Sequence, residues 1–305
     1  MVRLGDRRGV AGRRLPAQGQ SPRQPARPAD GVTTATARAA FRKHPVLTAL
    51  LALFGLYAAV VLALFAAQRA ILFPAPKGPS QIPSGFEKAE LHTRDELTLT
   101  AAWRPGAPGK PTVLFFHGNG DSLPGAAVAT QGLSKAGYGL LLADYRGYAG
   151  NPGNPTEAGL IADGHAALAF LTQRGIAPRT IVLMGASLGT GIATRLASET
   201  PPRALVLVSP FTSLRDAAAD ALPWVPARRL IRDSFESAAL MPDVKAPVLV
   251  LHARDDRVIP FAQGEALERA ALDGHLIPFS AYGHQLQFTA PAQDAVLNWL
   301  AARRL

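Results

Sequence analysis

The 305-residue sequence contains no cysteine, which excludes disulfide frameworks, thiol nucleophiles and Cys-based zinc sites. Stability must therefore come from packing. No internal repeat is present, so the length favours one large domain plus an appendage over an array of small units. Acidic residues are scarce at one end only: residues 1–43 hold ten Lys/Arg against two Asp, whereas the other 22 basic and 20 acidic residues nearly cancel. Aromatic residues are missing from that leader before Phe41. A phosphate-binding surface would place basic side chains on the folded body with aromatics among them, so no nucleic-acid partner is expected. Rich in Arg, Pro, Ala, Gly and Gln, residues 1–43 read as a basic, disordered leader that cannot bury enough apolar surface to offset its ordering entropy.

Charge is also absent from Val46 to Ala67, and these 22 residues would form a helix about 33 Å long. That length matches the roughly 30 Å hydrocarbon core of a bilayer. The run shows no polar stripe, which argues against a buried core helix. It exceeds the usual apolar region of a signal peptide and is not closely followed by an Ala-x-Ala site, which favours an uncleaved transmembrane anchor over residues 44–68. Arg42, Lys43 and His44 precede it, so the N-terminus is expected in the cytoplasm and the remaining chain across the membrane. An Ala/Arg-rich, cysteine-free composition points to a GC-rich bacterial source, for which that side is the periplasmic face of the inner membrane.

Residues 69–305 alternate between short apolar runs and helix-length segments. Glu87–His92 and Leu97–Arg104 read as an opening strand pair. Thr112–Phe116, Tyr138–Ala143, Thr180–Met184, Ala204–Val208, Val248–Leu251 and Leu276–Phe279 read as buried strands. Helices are expected near 122–136, 156–174, 188–199, 261–272 and 290–303. The expected fold class is α/β, with a mostly parallel eight-stranded sheet and helices on both faces, preceded by one transmembrane helix. Residues 211–247 break the rhythm with Pro223, Trp224, Pro226 and Pro242. They form either a small lid or a crossover helix with a long irregular loop.

Gly185-Ala186-Ser187-Leu188-Gly189 fits G-x-S-x-G between an apolar strand and a helical pattern, the setting of a nucleophile elbow. Two glycines beside the serine let strand and helix approach closely. A hydroxyl needs a base, and the base an orienting carboxylate. In folds of this kind the chain order is Ser, acid, His, which sets aside His44, His92, His117 and His165. His252 ends a strand ahead of the acid loop. His275 precedes the last strand, while His284 follows it, on the C-terminal side of the sheet where ligand chemistry gathers. The base is therefore assigned to His284. For the acid, Asp256 suits its distance from the strand and from Pro260, with the neighbouring Asp255 as the alternative. An oxyanion needs two positioned donors; the backbone N–H groups of Leu188 and of Asn119, in the loop FFHGNGDS, are assigned to it.

Taken together, HGNG (117–120), DYRGYAGNPGNPTEAGL (144–160), GASLG (185–189), HARDDRVIP (252–260) and YGH (282–284) resemble the α/β-hydrolase superfamily. More narrowly, residues 68–303 resemble membrane-anchored Bem46-like and ABHD-type serine hydrolases. The resemblance implies Ser187 as nucleophile, Asp256 as acid, His284 as base, no metal or organic cofactor, and acyl ester or thioester substrates, lipid-like in some relatives. Two positions depart from the frequent pattern: Ala253 and Ala149 stand where glycine is common. Asp144, Tyr145 and Arg146 read as shaping the site's wall, and Leu222, Trp224 and Val225 as candidates to line an acyl groove. The expected activity is hydrolysis through an acyl-enzyme. A peptidase or amidase on the same machinery, or a non-catalytic membrane-tethered interaction module, are the rival readings.

Overall fold

A computed structural model describes residues 44–305; the basic leader expected over residues 1–43 lies outside the described residues. The chain divides between Ala58 and Ala59. Helix α1, Pro45–Leu72, runs for 28 residues and is long and apolar enough to cross a membrane. Proline opens it, where a missing N–H costs nothing, and the Phe73-Pro74 pair follows its end. Its large apolar side chains, among them Leu53, Phe54 and Leu62, are exposed, and of its residues Gln68 alone is buried.

The unit from Ala59 onward is built on eight strands: β1 Glu87–His92, β2 Thr98–Arg104, β3 Thr112–Phe116, β4 Gly139–Ala143, β5 Ile181–Ala186, β6 Ala204–Val208, β7 Val248–Ala253 and β8 Gly274–Phe279. They lie in the order β1-β2-β4-β3-β5-β6-β7-β8. Only β2 runs antiparallel to its neighbours; the other pairings are parallel. Strands β3 to β7 are buried at every residue, as their unbroken apolar runs require when both faces are covered. At the edge, β1 instead alternates buried and exposed positions.

Helices cover both faces. On one, α4 (Glu157–Gln173) and α5 (Leu188–Glu199) contribute Leu160, Phe170, Ile192 and Leu196 to a core with Leu114, Leu183 and Leu205. On the other, α2 (Leu123–Ala129), α3 (Gln131–Lys135) and α10 (Ala290–Ala302) pack Leu123, Leu133 and Val296 against Phe115, Met184 and Leu249. The single helix expected near 122–136 is two, because the chain bends at Thr130 (φ −107°, ψ 11°), whose hydroxyl donates to Ala126 O at 2.8 Å. Between β6 and β7 stand three short helices, α6 (Leu214–Ala221), α7 (Ala227–Leu230) and α8 (Ser237–Leu240). Ser213 caps α6 by accepting the Asp216 N–H, and Pro223 lies just beyond its end. Helix α9, Phe261–Ala270, joins β7 to β8.

Candidate active site

Strand β5 delivers Ser187 to the C-terminal edge of the sheet and α5 begins at the next residue. Ser187 adopts φ 48°, ψ −116°, a conformation an L-residue holds only under constraint. The constraint is visible: its N–H donates to Val208 O at 2.9 Å, and glycines flank the turn. A Cβ on Gly185 would stand 2.4 Å from Gly189 O, and one on Gly189 would stand 2.1 Å from Phe116 O. Only glycine at both positions lets β5, α5 and β3 meet here.

His284 lies on the short 3₁₀ turn Gly283–Phe288 after β8. Its Nε2 is 2.8 Å from Ser187 Oγ, and its Nδ1 is 2.9 Å from Asp256 Oδ2. A carboxylate only accepts, so Nδ1 carries the proton and Nε2 is free to take that of the serine. The other oxygen of Asp256 accepts the N–H groups of Val258 and Ile259 at 2.8 and 2.9 Å. Burial alone would raise this carboxyl's pKa, but hydrogen bonds from His252, His284 and the Ile259 N–H outweigh it and hold the group well below the usual carboxylate range. Asp255, the alternative acid, points elsewhere: its Oδ1 accepts the Gly283 N–H at 2.9 Å and so fixes the turn that carries His284.

Leu188 is the first residue of α5, where backbone N–H groups lack partners within the helix. Across the cleft, the loop after β3 passes so close that a Cβ on Gly118 would lie 3.5 Å from the Ser187 Cβ. Asn119 follows it. Its side chain is engaged, Nδ2 donating to Leu72 O at 2.6 Å and Oδ1 accepting from the Tyr148 hydroxyl at 2.7 Å. Ser187, Leu188, His284 and Asn119 thus border one cavity of about 480 Å³, whose remaining wall includes Phe211 and Leu214. Asp256 stands behind His284, outside that lining.

Beneath the loop lies a buried polar cluster. His117 Nδ1 is 2.8 Å from Gly118 O and its Nε2 is 3.2 Å from Asp144 Oδ1. Asp144 also accepts from the Tyr145 N–H and the Ser80 hydroxyl, and Tyr145 Oη donates to His117 O at 2.7 Å. Arg146 binds Asp95 through both terminal nitrogens and holds Asp163 at 2.8 Å. Burial still pushes the Asp163 carboxyl up, against that guanidinium. Ala149 has φ 43° and is buried, so a left-handed turn next to this cluster falls on a residue with a side chain.

Sequence reasoning passed over His252. This fully buried imidazole places Nε2 3.0 Å from Ile259 O and 3.3 Å from Asp256 Oδ2. Both are acceptors, so Nε2 carries the proton. Its spacing of four residues ahead of the acid was the only available signal.

A family model described as Serine aminopeptidase, S33, matches residues 107–233. The Schizosaccharomyces pombe protein bem46 is 31% identical over 219 residues, covering 65% of this chain and 72% of its own. Lysophosphatidylserine lipase ABHD12 of Danio rerio is 32% identical over 219 residues, 62% of this chain and 57% of that longer protein. Among solved structures, a Pyrococcus furiosus esterase superposes with a TM-score of 0.60 at 19% identity, over 75% of this chain and 98% of the esterase, a likeness of fold. With its sheet order, its strand–turn–helix at Ser187 and its likeness to bem46, the chain belongs to the Bem46/ABHD-like group of the α/β-hydrolases.

Proposed function

We propose that this hydrolase is a serine esterase or thioesterase acting on lipid-like acyl substrates, anchored in a membrane by α1. The observation that carries the reading is the chain of contacts from Ser187 Oγ through His284 to Asp256, at 2.8 and 2.9 Å. His284 takes the serine proton as Oγ attacks the acyl carbonyl, and returns it to the leaving oxygen or sulfur. Water activated by the same imidazole then releases the acid, while Asp256 keeps the ring's tautomer and stabilises its charged form. The N–H groups of Leu188 and Asn119 serve the oxyanion. Support for an acyl ester comes from the lysophosphatidylserine lipase and esterase among the similar proteins.

The name of the matching family model favours one rival, cleavage of aminoacyl amides on the same machinery. Rates on p-nitrophenyl acyl esters and aminoacyl p-nitroanilides, for wild type and Ser187→Ala, test both. The proposal expects faster ester cleavage and a loss of at least about 10³-fold in the variant; faster anilide cleavage overturns the substrate class, and undiminished activity in the variant overturns the mechanism. A non-catalytic interaction module would have no need of all three groups in contact. The anchor is proposed to leave the N-terminus in the cytoplasm and the catalytic domain on the opposite side, which in a bacterium is the periplasm. Protease added outside spheroplasts should then cleave the catalytic domain, and protection there would reverse the orientation.

A further inference from the structure

The cavity above Ser187 does not end at the catalytic groups. Ile71 and Leu72 of α1 and Ala218 and Ala221 of α6 border it, and the same four residues border a second concavity of about 200 Å³. From there the second groove runs along α1 past Phe65, Leu64 and Val61, with Leu222, Val225 and Leu230 as its opposite wall. Trp224 lies outside that wall, half exposed.

Its surface is apolar throughout. The polar residue that borders it, Gln68, has its amide engaged: Oε1 accepts the Arg232 N–H at 2.9 Å, and Nε2 donates to Phe65 O at 2.8 Å and Leu230 O at 3.4 Å. Next to it in sequence, Arg69 Nε binds Asp233 at 2.9 Å. These bonds hold the last turns of α1 against the segment after α6, so the two walls of the groove keep a fixed spacing. An apolar channel open to water would be unfavourable, and this one calls for an apolar occupant.

The groove's direction identifies that occupant. Val61, Leu64 and Phe65 belong to the uncharged stretch that matches the bilayer core, whereas Ile71 and Leu72 come after Gln68 and Arg69, at its polar border. From Val61 to Leu72 the helix rises about 16 Å. With α1 anchored as proposed, one end lies at the depth of lipid tails, while the other borders the cavity of the nucleophile. We infer that this groove holds the acyl chain of a bilayer-resident ester, so that α1 is a wall of the substrate site as well as an anchor. The inference rests on the serine-hydrolase reading of Ser187. Chain carbons lie between α1 and α6–α7 while the carbonyl sits at Ser187, and the polar leaving group occupies the open side near Gln285 and Asp121.

Two measurements test it on the full-length chain in lipid nanodiscs. The first uses a long-chain alkyl fluorophosphonate with a diazirine at the end of its tail; irradiation after labelling is followed by peptide mass spectrometry. Phosphonylation of Ser187 with cross-links in residues 61–65 or 222–230 is expected. Ser187 labelling with cross-links only elsewhere, on Val258, Phe288 or lipid, overturns the groove and leaves the catalytic reading standing. No adduct on Ser187 overturns both. The second compares long- and short-chain p-nitrophenyl esters. Each buried methylene contributes roughly fourfold to kcat/KM, and filling the groove with Leu64→Trp or Leu230→Trp should lower the long-to-short ratio by about tenfold or more. An equal loss for both chain lengths contradicts the inference.

Discussion

His252 and Asp256, four residues apart, face each other at 3.3 Å across the acid loop, so that Asp256 Oδ2 receives one imidazole from behind while accepting His284 Nδ1 at 2.9 Å in front. His252 is thus a positioning residue for the carboxylate. Replacing it by Phe removes the N–H but keeps a ring. We expect kcat to fall about 10- to 100-fold through a displaced carboxylate, with KM little changed. Losing a donor to the carboxylate raises its folded pKa towards the ordinary 3.8, so the part of the stability that is lost on acidification below 3.8 should be smaller in the variant. A packing defect alone would lower stability equally at every pH.

Adjacent Asp255 and Asp256 should separate cleanly by kinetics. Asp256→Asn should cost roughly 10⁴-fold in kcat, because an amide facing Nδ1 stabilises the wrong tautomer. Asp255→Asn retains an oxygen for the Gly283 N–H, and its kcat should stay within a few-fold of wild type. Comparable losses in both variants would show that the assignment of the acid is wrong.

The same carboxylate predicts an acid-stability signature. Its folded pKa lies below the ordinary 3.8, so its contribution to stability is fully present above that value and is lost as pH falls from there towards the folded pKa. Chemical denaturation of wild type and Asp256→Asn at a series of pH values should therefore give a stability difference that shrinks once the pH drops below 3.8. A difference that stays constant across that range would contradict the account of the carboxylate's environment.

Ala149 offers a test of backbone strain. With φ 43° it holds a left-handed conformation that glycine adopts freely, and Ala149→Gly should raise stability by about 1 kcal/mol. Thermal unfolding checks this, and a lower midpoint in the variant would show that the buried methyl group outweighs the strain.

Most of the sheet was legible because its strands are unbroken apolar runs such as Thr112–Phe116, which admit few other fates. The groups that meet at Ser187 stood out because each follows a strand and sits among turn residues: Gly185 and Gly189, Asp256 before Pro260, His284 after Gly283. What stayed hidden depends on long-range partners. Gln68 and Arg69 read as residues flanking an apolar run, yet they bond to Arg232 and Asp233, 164 positions away. No local pattern announces such pairs. His252 was hidden for a different reason: next to last in the fully buried strand β7, it resembles core, and only its ring's contact with Asp256 reveals it.

The central claim is that Ser187 carries the acyl group during turnover. Rapid acid quench of the full-length enzyme during hydrolysis of a p-nitrophenyl ester, followed by peptide mass spectrometry, examines it most directly. The account predicts acyl mass on the peptide containing Ser187, and its absence in Ser187→Ala. Turnover with that peptide unmodified at every quench time, or with the acyl group on another residue, would contradict it.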